Sequence, residues 1–212
     1  MNQAVSIAVN GASGRMGQAI LRLAFRDARA RVVAALARAG SDAHGVPLRD
    51  AFGEAAATLR YVDRIERDVE LDAIVDFSVA PAFDAALAEA LARRVAFVSG
   101  TTGLSTPQHD ALRQAAATIP VLWSANFSLG VAVLTRLARE TARTLAKWDC
   151  EIAETHHRHK KDAPSGTALA LGRAIAEARG VEFERVAELD RTQERRPRDD
   201  AAIGFAVTRG GD

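Results

Sequence analysis

The chain holds one cysteine, Cys150, so no disulfide can close within it. That fits a reducing compartment, with Cys150 as a small, inert core residue. Net charge is also lacking: 28 basic residues against 27 acidic ones leave +1, not the strongly basic domain expected of a nucleic-acid binder. No window approaches the length of a membrane span. Residues 1–6 lack the basic patch and apolar run of a signal peptide. There is no internal repeat and no low-complexity tract beyond alanine richness. These absences point to a cytoplasmic protein with neither nucleic-acid nor membrane partners. What is present is 48% apolar residues over a 212-residue chain, enough for a real core in one large or two small domains.

Residues 5–10 are β-prone and break at Gly11-Ala12-Ser13-Gly14-Arg15-Met16-Gly17. Ile20, Leu21, Ala24 and Phe25 follow at helical spacing. Strand, glycine turn and helix are the setting of a dinucleotide-binding fingerprint. The spacing is G-x-x-G-x-x-G, and its physics is that of the common motif: glycines permit the tight turn, and their backbone approaches a pyrophosphate at the helix start. Residues 31–36 form the second strand. Its end carries no acid before Asp42, where an NAD-binding site usually holds the ribose. Arg38 stands there instead, suited to a 2′-phosphate, and tilts the cofactor toward NADPH.

Residues 41–67 read as loop, with one short strand near 58–62. Strands follow at 71–77, 95–98 and 120–123, alternating with helices from about 80 to 91 and 106 to 117; Pro107 suits the first helical position. This alternation predicts a doubly wound parallel sheet, a Rossmann-like α/β fold, with ligands outside the carboxyl ends of the strands. After residue 127 the pattern changes to a second, α+β domain, so the expected division is 1–127 and 128–212. The second domain reads as a helix over 131–145, a strand over 148–154, a helix from 167 stopping at Gly180, a charged loop over 188–200 and a strand over 202–208.

Between that strand and the helix stand His156, His157, Arg158, His159, Lys160 and Lys161. Several cations so close repel one another unless an anion or solvent intervenes. Asp162-Ala163-Pro164-Ser165-Gly166-Thr167 then forms a turn into a helix, with Gly166 and Thr167 N–H groups free for a carboxylate or phosphate. Two histidines at a time can share a face here, but the neighbouring Arg158 and Lys160 disfavour a divalent cation, and no metal site is expected.

The glycine turn, Gly100-Thr101-Thr102-Gly103, Ala125-Asn126-Phe127, and Glu154-Thr155-His156-His157-Arg158-His159-Lys160 with the turn after it together resemble the 4-hydroxy-tetrahydrodipicolinate reductase family. The resemblance covers the whole chain and implies an NADPH- or NADH-dependent oxidoreductase of lysine and diaminopimelate biosynthesis. The substrate that the resemblance implies is a small dicarboxylate. The resemblance implies catalytic roles for His156, as proton donor, and Lys160, and substrate contacts for His157, Gly166 and Thr167. Cofactor contacts fall on Gly11, Ala12, Ser13, Gly14, Arg15, Met16, Gly100, Thr101, Thr102, Ser124, Ala125, Asn126 and Phe127. Ala37 and Lys161 depart from the family pattern. Full-length members continue past the position of Asp212 and form homotetramers, so the second domain here is expected to lack the family's C-terminal part. The alternative is a catalytically impaired dinucleotide-binding fragment or a regulatory protein.

Overall fold

The structure, a computed structural model, describes residues 3–192 and 197–212. The chain divides into two compact units, Met1–Ser124 and Ala125–Asp212.

The first unit opens with β1 (Val5–Asn10), α1 (Arg15–Ala24) and β2 (Ala30–Leu36). A short helix α2 (Arg49–Phe52), a 3-10 turn (Glu54–Ala56) and β3 (Tyr61–Val62) come next. Then follow β4 (Ala73–Asp76), α3 (Ala80–Arg93), β5 (Ala96–Ser99), α4 (Thr106–Ala115) and β6 (Val121–Trp123). The six strands are parallel in the order β3-β2-β1-β4-β5-β6. Alternation along β1 sends Ala8 to one core and Val9 to the other. The first core also takes Phe83, Leu87 and Ala90 of α3 and Leu112 and Ala115 of α4, with Phe83 and Phe97 edge to face at 5.7 Å. The second takes Leu21 and Ala24 of α1. A sheet with helices packed on both faces is the doubly wound fold expected from the strand–helix alternation.

Two local differences stand out. Residues 41–67, expected to be loop with one strand, also carry α2 and the 3-10 turn. These are anchored by buried Leu48 and Ala56 rather than by any long periodic pattern. In α4, Thr106 takes the first helical position and Pro107 the second, behind a capping box in which Ser105 and Gln108 exchange hydrogen bonds.

The second unit contains α5 (Leu129–Thr144), β7 (Cys150–His156), α6 (Gly166–Arg179), α7 (Phe183–Val186), β8 (Ala187–Glu188) and β9 (Ile203–Arg209). Its three strands are parallel in the order β7-β9-β8. Ala142, Ile175, Ala176, Phe183 and Ile203 form the core. Gly180 ends α6 in the left-handed conformation, φ 70°, as a C-terminal stop requires. The loop expected over 188–200 begins one residue later, because Glu188 pairs with Gly204 in β8; residues 193–196 of that stretch lie outside the described residues. The strand expected over 148–154 runs instead to His156, so the first histidine of the cluster is the last residue of β7.

Candidate active site

In the first unit one register row crosses the carboxyl ends of the strands: Leu36, Asn10, Asp76, Ser99 and Trp123 lie side by side. Asp76 is fully buried at its centre. One carboxylate oxygen accepts the Asn10 amide (2.8 Å) and the Ser78 hydroxyl (2.6 Å). The other accepts the hydroxyls of Ser99 (2.8 Å) and Thr101 (2.7 Å). Burying a carboxylate is costly unless it is saturated with donors, and this one is. The Thr101 side chain is thus turned inward, and its carbonyl accepts from the Trp123 indole at 3.0 Å. The Gly100 N–H donates to the Asp76 carbonyl, and a Cβ on Gly100 would stand 2.3 Å from the Phe77 ring.

The strand order reverses between β1 and β4, and the crevice there is where an open α/β sheet holds its ligand. Gly11 follows β1 with φ 72°, where a Cβ would meet the Phe77 carbonyl at 2.6 Å. A Cβ on Gly17 would lie 2.2 Å from the Gly11 carbonyl. Glycine at these two positions lets the turn fold flat against the start of α1. Gly14 is the N-cap of α1 and gives it no side-chain cap, and the first turn carries no acid. Such a terminus keeps N–H groups and a positive dipole end for an anion. Ser13, Gly14, Arg15 and Met16 are exposed around it, while Ala12 is buried. Arg38 lies exposed just beyond β2. The residues fit a dinucleotide.

In the second unit, β7 alternates half-buried and exposed positions, which puts Cys150, Ile152, Glu154 and His156 on one face. Glu154 is nearly buried, and its Oε1 accepts the Ser165 N–H and Arg209 Nη2, both at 2.9 Å. Burial pushes the Glu154 carboxyl up, but the hydrogen bonds from Ser165 and Arg209 outweigh it and hold the group below the ordinary carboxylate range. Arg209 also donates to the Asp162 carbonyl at 2.6 Å. Ser165 caps α6 by accepting the Ala168 N–H at 3.1 Å.

The crowded cations have acids of their own. Lys160 pairs with Asp162 at 2.8 Å, and Arg158 pairs with Asp212 at 3.1 Å. The Lys160 ammonium beside Asp162 holds that carboxyl below its usual value, and the Gly166 N–H hydrogen-bonds to it as well. The Gly166 N–H expected to stand free therefore already faces a carboxylate, one supplied by the chain. His157 and His159 are exposed, with ring centres 6.0 Å apart. Asn126 donates to the Thr167 hydroxyl at 3.2 Å, bringing a predicted cofactor contact to a predicted substrate contact. Ala125 and the half-exposed Phe127 flank it, and the Ser124 N–H donates to the Ser99 carbonyl at 3.1 Å. No group of three or more metal-ligating side chains gathers among the described residues.

Sequence reasoning places Asp76 at the ligand edge, and Asp162 and Ser165 in the turn before α6, without a partner for any of them, and it gives Glu154 and Arg209 no role in the site. Two carried a readable signal: Asp76 ends a strand, and Glu154 stands two residues before His156, hence on its face. Arg209 is too distant in sequence for any local pattern to connect it.

The Dihydrodipicolinate reductase family matches the chain in two parts, its N-terminus over residues 5–127 and its C-terminus over residues 130–212. The chain belongs to this family. The 4-hydroxy-tetrahydrodipicolinate reductase of Xylella fastidiosa is 46% identical over 179 residues, covering 83% of this chain and 71% of that protein. That of Pseudoalteromonas atlantica is 40% identical over 208 residues, covering 97% and 78%. Among solved structures, dipicolinate-bound dihydrodipicolinate reductase from Paenisporosarcina sp. TG-14 aligns with a TM-score of 0.73 at 23% identity, over 98% of this chain and 79% of that one. The last likeness is one of fold. The family suggested by the histidine–lysine stretch and the glycine turn is the family found.

Proposed function

We infer that this chain is an NAD(P)H-dependent oxidoreductase reducing 4-hydroxy-tetrahydrodipicolinate to tetrahydrodipicolinate in cytoplasmic lysine and diaminopimelate biosynthesis. The observation that carries this reading is the end of β7. There His156 and Lys160 sit in a network of paired charges directly before the N-terminus of α6, in a chain whose other unit has a dinucleotide-binding edge.

The first unit binds the cofactor, and the second, from about residue 125 or 128 onward, binds the substrate. Gly11 to Met16 hold the pyrophosphate with backbone N–H groups at the start of α1. The segment from Gly100 to Thr102 supports the cofactor by its backbone, since Asp76 holds Thr101 inward. Ser124 to Phe127 complete its contacts. When bound, the cofactor supplies a hydride. His156 donates the proton that quenches the negative charge built on the substrate; imidazole is the side chain suited to this near neutrality. Lys160, with the Gly166 and Thr167 amides and with His157 beside them, holds the dicarboxylate. A substrate carboxylate takes over the contacts to Lys160 and Gly166 that Asp162 holds here. Charge-assisted hydrogen bonds of this kind contribute about 1.5–3 kcal/mol each.

His156→Gln is expected to lower kcat by roughly 10²–10⁴-fold with cofactor affinity retained. An equal rate in the variant would remove His156 from this role. Arg38 favours NADPH through a 2′-phosphate, and Arg38→Ala is expected to weaken NADPH binding while leaving NADH binding unchanged. Tighter NADH than NADPH binding by the parent chain would refute that preference. Full-length members of the family are expected to form homotetramers, and sedimentation of the purified chain tests whether that assembly extends to it.

A further inference from the structure

We propose that Glu154 is a positioning residue for His156: its second carboxylate oxygen holds the Nδ1 side of the imidazole, so that the proton given to the substrate leaves from Nε2. The proposal rests on the reading of His156 as proton donor and adds to it the group that sets its tautomer.

The geometry comes from the strand. Period-2 alternation places the two side chains on one face of β7, two residues apart. Glu154 Oε1 is fully used by Ser165 and Arg209. Oε2 is buried and has no hydrogen-bond partner among the described residues, and the same is true of His156 Nδ1. The two unpartnered atoms stand 3.7 Å apart. That is beyond hydrogen-bonding distance, and a side-chain adjustment of under about 1 Å closes it. Buried polar atoms left without partners are rare, and two of them facing each other define a contact poised to form. With Nδ1–H donating to the carboxylate, the neutral ring keeps its proton on Nδ1 and the charged ring offers Nε2–H outward.

Glu154 is suited to the task because Ser165 and Arg209 keep it ionised, so it presents a full negative charge to the ring. Other charged groups face the same end of the strand. Arg209 of β9 stands opposite His156 in the register, and its cation partly offsets Glu154. Lys160 and Asp162 in the following loop neutralise each other, as do Arg158 and Asp212. The groups that bear on His156 are therefore Glu154 and Arg209, and Glu154 Oε2 stands 3.7 Å from the ring nitrogen.

In Glu154→Gln an amide NH₂ at the place of Oε2 would face Nδ1 and oppose a proton there. The upper limb of the kcat–pH profile is expected to move to lower pH by about one unit, a tenfold loss of rate above both limbs. Glu154→Asp keeps the carboxylate and is expected to restore most of the shift. An unshifted limb in a folded Glu154→Gln variant, with His156→Gln strongly impaired, would overturn the proposal and leave the proton donor intact. Full activity in His156→Gln would instead overturn the reading beneath it. Nitrogen NMR of histidine-labelled parent protein gives a second answer that needs no variant at residue 154, with the His156 signal assigned by its loss in His156→Gln. The neutral His156 ring is expected as the Nδ1–H tautomer, and the Nε2–H tautomer would contradict the proposal.

Discussion

At the scale of single residues, buried charge does the organising. Asp76 is buried, has no cationic partner among the described residues, and is stabilised by donors from Asn10, Ser78, Ser99 and Thr101. Those donors come from β1, from the turn after β4, from β5 and from the segment after it, so one carboxylate fixes the shape of the cofactor edge. Asp76→Asn replaces an acceptor by a donor facing hydroxyls, and leaving a buried group unsatisfied costs about 1–3 kcal/mol. The variant is expected to lose roughly 2 kcal/mol, or about 4–8 °C in melting temperature, and to bind NADPH more weakly. Calorimetry with and without cofactor checks this, and an unchanged melting temperature would contradict it. Nothing local in the sequence marks Asp76 as more than a strand-end residue. Its importance appears only when the parallel register sets it between Asn10 and Ser99. Glu154 and Arg209 illustrate the same limit. The pairing of β7 with β9 joins residues 55 positions apart, which no periodicity encodes.

At the scale of elements, most of the plan is local. The glycine turn after β1 is legible because steric demand fixes residue type: Gly17 has Gly11 backbone within 2.2 Å of where a Cβ would be. Gly17→Ala must push backbone atoms apart, and overpacking of this kind costs about 1–3 kcal/mol. It is expected to lower both the melting temperature and NADPH affinity. Gly130→Ala near the start of α5 meets only the Ser128 hydroxyl, at 3.7 Å, and is expected to hold or raise the melting temperature, since alanine suits a helix better. Equal effects from the two substitutions would contradict the steric account. Strands and long helices were readable because their hydrophobic periods are long. The pieces that escaped, α2, the 3-10 turn, α7 and β8, are two to four residues long. Tertiary anchors such as Leu48, Ala56 and Phe183 determine them. The end of β7 lies two residues past the expected one because the polar His156, heading a run of basic residues, does not look like strand. Its half-buried place beside Glu154 explains why it is one.

At the scale of the whole molecule, the chain joins two units with complementary equipment. One has a sheet order that reverses beside a glycine turn, and the other has a short parallel sheet ending in histidine, lysine and paired carboxylates. The family was readable from motifs, since the histidine–lysine stretch and the turn after it are long enough to be specific. The electrostatic balance was not: the sequence calls for an anion among the cations without saying which, while the structure pairs Lys160 with Asp162 and Arg158 with Asp212. Turnover by the purified chain with NADPH and enzymatically generated 4-hydroxy-tetrahydrodipicolinate tests the account most directly. NADPH is expected to be consumed in equal amount to the tetrahydrodipicolinate formed. Binding of NADPH with no consumption on adding substrate would contradict the account.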